Sequence, residues 1–296
     1  MSILSPGFSR KILRNWQIFC RLPICNNPLM CGRYRLSKRK QLIEEHFNAV
    51  SEDDNDWKPR YNVAPTQPVP AIRQNPKEPA RELSLLRWGL IPPWAKDASE
   101  AAKRINARSE TANIQPVFRD ALKFRRCLVP ADGFYEWKKN GAAKQPYCFE
   151  VNNGELFAFA GIWERWKNPN GEWIKTCSIL TTTPNTVTSA IHDRMPVILD
   201  PDDYDLWLDP GVQDTTTASE LLKPLDAGLM RCYPVSARIN SAANDDEECS
   251  RAGRVSWTSR TFYATAASTR CQNHKVVSKQ RGRYASPEWN SISARG

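Results

Sequence analysis

The stretch RRCLVPADGFYEWK (residues 125–138) combines a run of apolar residues with a carboxylate set between two aromatic rings. This composition predicts a β-strand over residues 126–137. Strand alternation then places Tyr135 and Trp137 on the face opposite Glu136. A carboxylate in apolar surroundings tends to have a raised pKa, which suits general acid–base chemistry. The alternative is an exposed Glu136 on an edge strand, and this motif by itself leaves both interpretations open.

Helical and strand-like segments surround this stretch and predict an α+β fold. Further strand-like runs occupy residues 146–151, 156–163 and 173–182. Helical patterns are found at residues 37–47, with Ser37 as the N-cap, in the first part of 97–112, and at 116–124, 184–191 and 200–208. We therefore expect a single mixed domain with a curved, largely antiparallel β core flanked by short helices. Because no apolar run is long enough to span a bilayer, we expect a soluble protein without a membrane partner.

The two ends of the chain differ in charge from its centre. The formal net charge is +10, and all of the excess positive charge lies in residues 1–30 and 250–296. The overall charge is therefore no evidence for a nucleic-acid site on the central part. We predict an extraneous or disordered N-terminal extension over residues 1–29, a folded domain over 30–249, and a basic, disordered or aberrant tail over 250–296.

The start of the working chain is a separate question, because Met30 directly precedes Cys31. Residues 1–29 contain no apolar core suited to a secretory signal. We expect translation to begin at Met30, with a transit peptide or self-cleavage before Cys31 as alternatives.

The nine cysteines form no CxxC pair and no Cys/His ligand spacing, so we expect neither a metal nor another cofactor. Several of them lie in strand-like runs, which is typical of reduced, buried thiols in a cytoplasmic protein. Cys31 lies instead among Gly and Arg residues, where nearby cations favour the thiolate.

Four more motifs contain candidate functional residues, each with a structural alternative. His192 in IHDRMP can move protons near neutral pH, or it can satisfy backbone carbonyls at a helix end. Asn106 and Arg108 in INARSET offer an amide and a bidentate cation to a partner, or they cap and pair with their own helix. Trp88 in RWGLIPPW and Pro65 in YNVAPTQ can stack on or wedge between bases, or they belong to the core.

Eight motifs in collinear order closely resemble the SOS response-associated peptidase family, whose members are also called abasic-site processing proteins. They are MCGRYRLS, RYNVAPTQ, LRWGLIPPW, INARSET, RRCLVPADGFYEWK, FAFAGIWE, TCSILTTTPN and IHDRMPVIL. The sequence departs from the family pattern in one respect, because the family motif begins at the initiator methionine and this chain carries residues 1–29 before Met30.

The resemblance implies a covalent reaction with abasic sites in single-stranded DNA. The α-amine of an N-terminal cysteine condenses with the aldehyde of the opened sugar, and the thiol then closes a thiazolidine ring. By resemblance Cys31 is the crosslinking residue after removal of Met30, and Asn106, Glu136 and His192 are the other active-site positions. Contacts with the DNA are expected from Arg33, Arg108, Trp88, Pro65 and Thr181.

The implied biology is protection of the lesion during the DNA damage response, with lyase-like and autopeptidase-like activity and no turnover of external peptides. The expected partner is single-stranded DNA containing abasic sites, and the replication machinery is a further candidate. We expect a monomer in the cytoplasm, associated with the nucleoid in a bacterium, or in the nucleus of a eukaryote. The alternatives are a non-covalent module for damaged or modified DNA and a self-processing cysteine peptidase.

Overall fold

A computed structural model describes residues 32–51, 58–75, 78–141 and 143–253. These residues contain fourteen strands and five short α-helices. The strands are β1 (Arg33–Leu36), β2 (Ala49–Ser51), β3 (Arg60–Val63), β4 (Pro68–Gln74), β5 (Arg81–Trp88), β6 (Asn106–Arg108), β7 (Arg126–Ala131), β8 (Gly133–Asn140), β9 (Ala143–Val151), β10 (Phe157–Lys167), β11 (Trp173–Thr182), β12 (Met195–Pro196), β13 (Ile198–Leu199) and β14 (Met230–Pro234). The helices are α1 (Lys40–Phe47), α2 (Ser109–Ala112), α3 (Pro116–Phe124), α4 (Tyr204–Leu208) and α5 (Thr215–Glu220). The predicted N-terminal extension, Cys31 and most of the predicted tail lie outside the described residues.

The strands form two sheets. The first has the order β14-β9-β8-β1-β3 and is antiparallel throughout. The second has the order β12-β11-β10-β7-β4-β5-β2, with β6 beside β11 and β13 beside β10. Because β5 also pairs with β11, strands β5, β4, β7, β10 and β11 close into a ring, which requires a curved sheet. The predicted α+β class with a largely antiparallel core is confirmed.

Residues 125–138 connect the two sheets. The segment predicted as one strand forms two, β7 in the second sheet and β8 in the first, with Asp132 between them. In β8 the alternation holds, because Phe134 enters the main core while Tyr135 and Trp137 pack in a smaller cluster on the other face. Glu136 is only 2% exposed and lies in a strand flanked by β1 and β9. The alternative of an exposed glutamate on an edge strand is therefore wrong.

An ion pair between Arg35 and Asp132 fixes β1 at the junction of the two sheets. The Arg35 Nε donates to Asp132 Oδ1 at 2.6 Å, and Nη2 donates to the Asp132 carbonyl oxygen at 2.8 Å. The other carboxylate oxygen accepts hydrogen bonds from the backbone N–H and the hydroxyl of Ser37, both at 2.7 Å. Both members of the ion pair are buried. Burial alone would lower the pKa of Arg35, but its anionic neighbours raise it above the ordinary value.

Glu150 of β9 extends this network across the first sheet. It accepts hydrogen bonds from Arg35 Nη2 at 2.8 Å, from the Tyr233 hydroxyl at 2.8 Å and from Arg231 Nε at 2.7 Å. Burial would raise the pKa of this carboxyl group, yet its three donors hold it below the ordinary value. The carboxylate therefore stays charged inside the sheet and ties β1 to β14 through β9.

Trp88, at the end of β5, links the second sheet to β1. Its fully buried ring packs edge-to-face against Tyr34, with ring centroids 5.4 Å apart, and its Nε1 donates to the carbonyl oxygen of Ile105 at 2.9 Å. Its backbone carbonyl accepts from Thr66 N at 2.8 Å, and its backbone N–H donates to Gln67 O at 2.9 Å. One residue thus connects β1, the turn after β3 and the residue that precedes β6.

The helices depart from the sequence prediction where side chains make tertiary contacts. Residues 116–124 form the predicted helix, α3. Ser37 does not cap α1, because its hydroxyl and N–H bind Asp132, and the helix begins three residues later at Lys40. Residues 97–112 contain a short 3₁₀ turn, then β6 and α2. Residues 184–191 form only a single 3₁₀ turn, since the Asn185 side chain accepts the N–H groups of Val187 and Thr188.

The C-terminal described segment returns to β3. The carboxylate of Asp245 accepts hydrogen bonds from Arg60 Nε and from the backbone N–H groups of Tyr61 and Asn62, the last two at 2.6 and 2.7 Å. The Asn62 side chain donates to the carbonyl oxygens of Ile239, Ser241 and Asn244. A bridge between Val235 and Ala252 shows that the chain remains part of the fold beyond residue 249, the predicted end of the domain.

The five described cysteines are free thiols, and four of them are buried: Cys127, Cys148, Cys177 and Cys249. Burial raises the pKa of Cys127 and of Cys148 to about 12. Among the described residues, no helix is long and apolar enough to cross a bilayer, and no cluster of three or more His, Cys, Asp or Glu residues could hold a metal ion.

Replacing Asp132 tests whether the junction depends on its ion pair. Asp132→Ala leaves the buried Arg35 without its nearest carboxylate, so we expect the free energy of unfolding to fall by about 3–5 kcal/mol. Urea unfolding monitored by circular dichroism measures this loss. Asp205→Ala is the matched control, because Asp205 pairs with Arg81 at 2.6 Å but its side chain is 91% exposed. That variant should lose less than about 1 kcal/mol. Similar losses in the two variants would contradict the interpretation.

Trp88→Phe tests the link between the sheets. The change removes the Nε1–H donor and part of the buried ring, and we expect a loss of about 2 kcal/mol in unfolding free energy. Trp173→Phe, at an exposed position of β11, should change stability by less than about 0.5 kcal/mol. Thermal and urea unfolding of both variants provide the comparison, and an equally stable Trp88→Phe protein would show that this link is dispensable.

Candidate functional site

The first half of the candidate site surrounds the residue at which the described chain enters β1. Arg33 pairs with Tyr135, so the same register continued by one residue sets Gly32 opposite Glu136. On the other side of β1, the antiparallel strand β3 ends just before the turn that contains Pro65. The chain thus enters the first sheet between a buried carboxylate and a rigid turn. Cys31, the residue before Gly32, lies outside the described residues.

Glu136 and Arg33 occupy opposite faces of the first sheet. Alternation along β8 directs Glu136 to the same face as Phe134, toward the main core. Arg33 follows the face of its partner Tyr135, and its Nη1 donates to the carbonyl oxygen of Gly32 at 2.9 Å. Partial burial lowers the pKa of Arg33, although an arginine remains charged near neutral pH. The start of β1 therefore has a carboxylate on one face and a guanidinium on the other.

The second half of the site lies where β6 runs parallel to β11. Asn106 is aligned with Ile179, and Arg108 with Thr181. Asn106 is half-buried and Arg108 is exposed, which leaves the guanidinium of Arg108 accessible to a partner. Both residues lie in β6, and Arg108 is at the same time the N-cap residue of α2, although its side chain makes no capping hydrogen bond.

Arg194, two residues after His192, is a further candidate site residue. Its Nη1 and Nη2 donate to the two carboxylate oxygens of Glu110 at 2.6 and 2.8 Å, and Nη2 also donates to the carbonyl oxygen of Thr181 at 2.7 Å. The hydrogen bonds from Arg194 hold the pKa of Glu110 below its ordinary value. The bidentate pair ties the loop that carries His192 to α2, and the bond to Thr181 ties it to the end of β11. The Arg in HDRMP was the available sequence signal.

His192 lies in that loop with two potential partners on one ring nitrogen. Its backbone N–H donates to the Thr188 carbonyl at 2.9 Å, and its side chain is 19% exposed. Nδ1 lies 3.1 Å from the backbone N–H of Arg194 and 2.9 Å from Asp193 Oδ1. A neutral ring accepts from Arg194, whereas a protonated ring donates to Asp193.

Trp88 and Thr181 take roles different from those expected. Both are fully buried, so neither presents a ring or a hydroxyl to a DNA strand, and we revise their roles to that of a scaffold. The Thr181 hydroxyl lies 3.4 Å from the carbonyl oxygen of Ala107. Trp88 contacts Tyr34, the residue after Arg33, and binds the carbonyl of Ile105, the residue before Asn106. Through these contacts it connects the two halves of the site.

Comparison with known proteins identifies the family of this chain. Residues 30–242 match the family model described as SOS response associated peptidase (SRAP). The chain is 43% identical to abasic site processing protein YoqW of Bacillus subtilis over 221 residues, which covers 74% of this chain and 98% of that protein. It is 34% identical to abasic site processing protein HMCES of Gallus gallus over 223 residues, covering 65% of this chain and 66% of that protein.

A solved structure of a protein from Bacteroides thetaiotaomicron is also similar. It superposes with a TM-score of 0.69 at 29% sequence identity, and the match covers 75% of this chain and all of the other. Since the family model extends over more than half of the sequence, the chain belongs to the SOS response-associated peptidase (SRAP) family.

Proposed function

We propose that this protein acts on abasic sites in single-stranded DNA and forms a covalent thiazolidine crosslink through Cys31. The observation that supports this most directly is the position of Glu136, a buried carboxylate beside the residue that follows Cys31. A proton carrier at the very start of the domain is what chemistry at a terminal amine requires. The names of the similar proteins YoqW and HMCES, both abasic site processing proteins, support the choice of substrate.

The reaction that we propose uses both groups of an N-terminal cysteine. The α-amine attacks the aldehyde carbon of the opened sugar, and loss of water from the resulting carbinolamine gives an imine. The Cys31 thiolate then adds to the imine carbon, the nitrogen takes up a proton, and a five-membered ring closes. The net change joins an aminothiol and an aldehyde with release of one water. If any residue precedes Cys31, its nitrogen belongs to a peptide bond and the imine cannot form.

In this proposal the site residues move protons and orient the reacting groups. Glu136 protonates the departing hydroxyl and accepts a proton from the amine. His192, with its two alternative Nδ1 contacts, assists the opening of the sugar ring. Asn106 orients the amine or the developing hydroxyl. Reopening of the ring to the imine, followed by loss of a proton from the adjacent sugar carbon and departure of the phosphate on the next carbon, gives the lyase-like activity. Removal of the residues before Cys31 is the autopeptidase-like step.

The DNA contacts in this proposal are charged and independent of base sequence. Arg33 and Arg108 bind phosphates on the two halves of the site, and Pro65 supports the strand at the entry to β1. We place the reaction in the DNA damage response, with the protein acting as a monomer. Action alongside the replication machinery, and a location at the nucleoid or in the nucleus, extend the same proposal.

A pair of chains that differ by one residue tests the covalent step. One begins at Cys31, and the other carries a single Ala before Cys31. With single-stranded DNA containing an abasic site, we expect a slowly migrating adduct on a denaturing gel only from the first chain. Cys31→Ser, which keeps the amine but loses the thiol, should give an adduct only after reduction with borohydride. A stable adduct from the Ala-extended chain would refute the mechanism. Binding without an adduct from any chain would favour the non-covalent module.

Glu136→Gln tests the proton carrier. We expect the rate of adduct formation to fall by about 10²-fold, the lower end for general acid–base catalysis, because the amide cannot transfer the proton. Affinity for single-stranded DNA in a filter-binding assay should not change. Glu164→Gln is the control, since Glu164 is also a buried strand glutamate, in β10, and its carboxylate binds Arg125 at 2.5 Å. If both variants react at the wild-type rate, Glu136 does not carry the proton.

A further inference from the structure

The hairpin formed by β10 and β11 exposes one face on which cations surround an aromatic ring. In the antiparallel register Lys167 pairs with Trp173 and Arg165 with Lys175. Paired residues of neighbouring strands project to the same side of a sheet. These four residues, Arg165, Lys167, Trp173 and Lys175, are called the hairpin face below. Trp173 is 61% exposed, and Arg165 and Lys167 are exposed as well.

The cations of the hairpin face lie close to the Trp173 ring. The guanidinium carbon of Arg165 is 5.1 Å from the ring centroid, and Nζ of Lys167 is 6.0 Å away. The two acidic residues next to this face in the sequence have partners outside it. Glu164 projects to the other face and binds Arg125, while Glu172 accepts a hydrogen bond from the Asn168 side chain at 2.8 Å. The hairpin face is therefore locally basic on a domain whose overall charge is nearly balanced.

The opposite face of the hairpin is packed and holds it in place. Trp166 is buried, and its Nε1 donates to the carbonyl oxygen of Ala95 at 2.7 Å. Its ring belongs to a small apolar cluster with Ile91 and Ala101. The hairpin thus presents an ordered aromatic–basic surface, and core packing accounts for only one of its two faces.

We propose that the hairpin face is a second contact site for the single strand that flanks the lesion. An aromatic ring between flexible cations matches the alternation of bases and phosphates in single-stranded DNA, with stacking on Trp173 and charge contacts from Arg165 and Lys167. This inference rests on the proposed function, because it takes the strand to be anchored at the candidate site. An acidic protein surface would use the cations but would leave the exposed ring without a matching group.

The geometry sets the length of DNA that the contact requires. Trp173 and Thr181 lie at the two ends of β11, eight residues and so at most about 26 Å apart. A stacked strand with a phosphate every ~3.4 Å covers this distance with roughly eight nucleotides. A short oligonucleotide can therefore occupy the candidate site without reaching the hairpin face, whereas a long one can occupy both.

The test compares short and long single strands, each with one abasic site, on the chain that begins at Cys31. Arg165→Gln/Lys167→Gln should lower the salt dependence of binding to the long strand by about 1.4 in logarithmic slope, since each phosphate contact on a single strand contributes ~0.7. Trp173→Ala should weaken binding to the long strand by about 10-fold. Neither variant should change adduct formation on the short strand. Converting the flank to duplex should abolish the effect of Trp173→Ala, because paired bases cannot stack on the ring.

Lys144→Gln/Lys223→Gln removes two other exposed cations and serves as the charge-matched control. Any of three results would overturn the inference. The hairpin variants could bind the long strand with wild-type affinity, or the control could lose as much affinity as they do. The effect of Trp173→Ala could also remain undiminished when the flank is duplex. Failure of the proposed function has a different signature, because no chain would then form an adduct on the short strand. Binding to the long strand would still report on the hairpin face in that case.

Discussion

The buried contact between Arg35 and Asp132 is the constraint on which the rest of the structure depends. Asp132 is the single residue between β7 and β8, so its position determines how the second sheet passes into the first. Arg35 approaches from β1 and binds both the side chain and the backbone of Asp132. A charged pair of this kind is stable inside a protein only when further hydrogen bonds complete it. Ser37 and Glu150 provide them, and so the position of β1 is defined along its whole length.

Strand alternation turns this fixed position into a functional arrangement. In the observed register of β1 against β8, alternate residues of β8 project to opposite faces. Glu136 therefore faces the core, and Tyr135 and Trp137 face away from it. Displacement of the register by one residue would exchange the two faces. The ion pair therefore supports the register in which Glu136 lies on the core face of the first sheet.

Local patterns predicted those features that depend on neighbouring residues. The amphipathic spacing of residues 116–124 gave a true helix, and the alternation around Glu136 gave the correct faces. Patterns failed where a distant partner intervened. Ser37 is of a residue type that often caps helices. Its backbone N–H and its hydroxyl donate instead to Asp132, which lies 95 residues further along the chain. The alternation within residues 126–137 does not reveal that the strand divides at Asp132, where the side chain and the carbonyl oxygen bind Arg35 of β1.

The candidate site shows the same distinction. The resemblance of the motifs identified Asn106, Glu136 and His192 as candidate active-site residues. The surroundings of these residues depend on tertiary contacts that the motifs do not show. The motif around Trp88 predicted a ring that contacts DNA at the surface. The ring is buried instead, because Tyr34 packs against it and the Ile105 carbonyl accepts its N–H. Arg194 received little weight from the sequence, since its partner Glu110 is 84 residues away.

The contact of Asp245 with the backbone of Tyr61 and Asn62 has a consequence for the order of assembly. More than 180 residues separate these partners, so β3 receives its last hydrogen bonds only after nearly the whole domain has been synthesised. Contacts of such long range form late and slow the folding of the chain. β1, the first described strand, pairs with β3. The two strands of the first sheet that the ribosome makes first are therefore among the last to receive all of their partners.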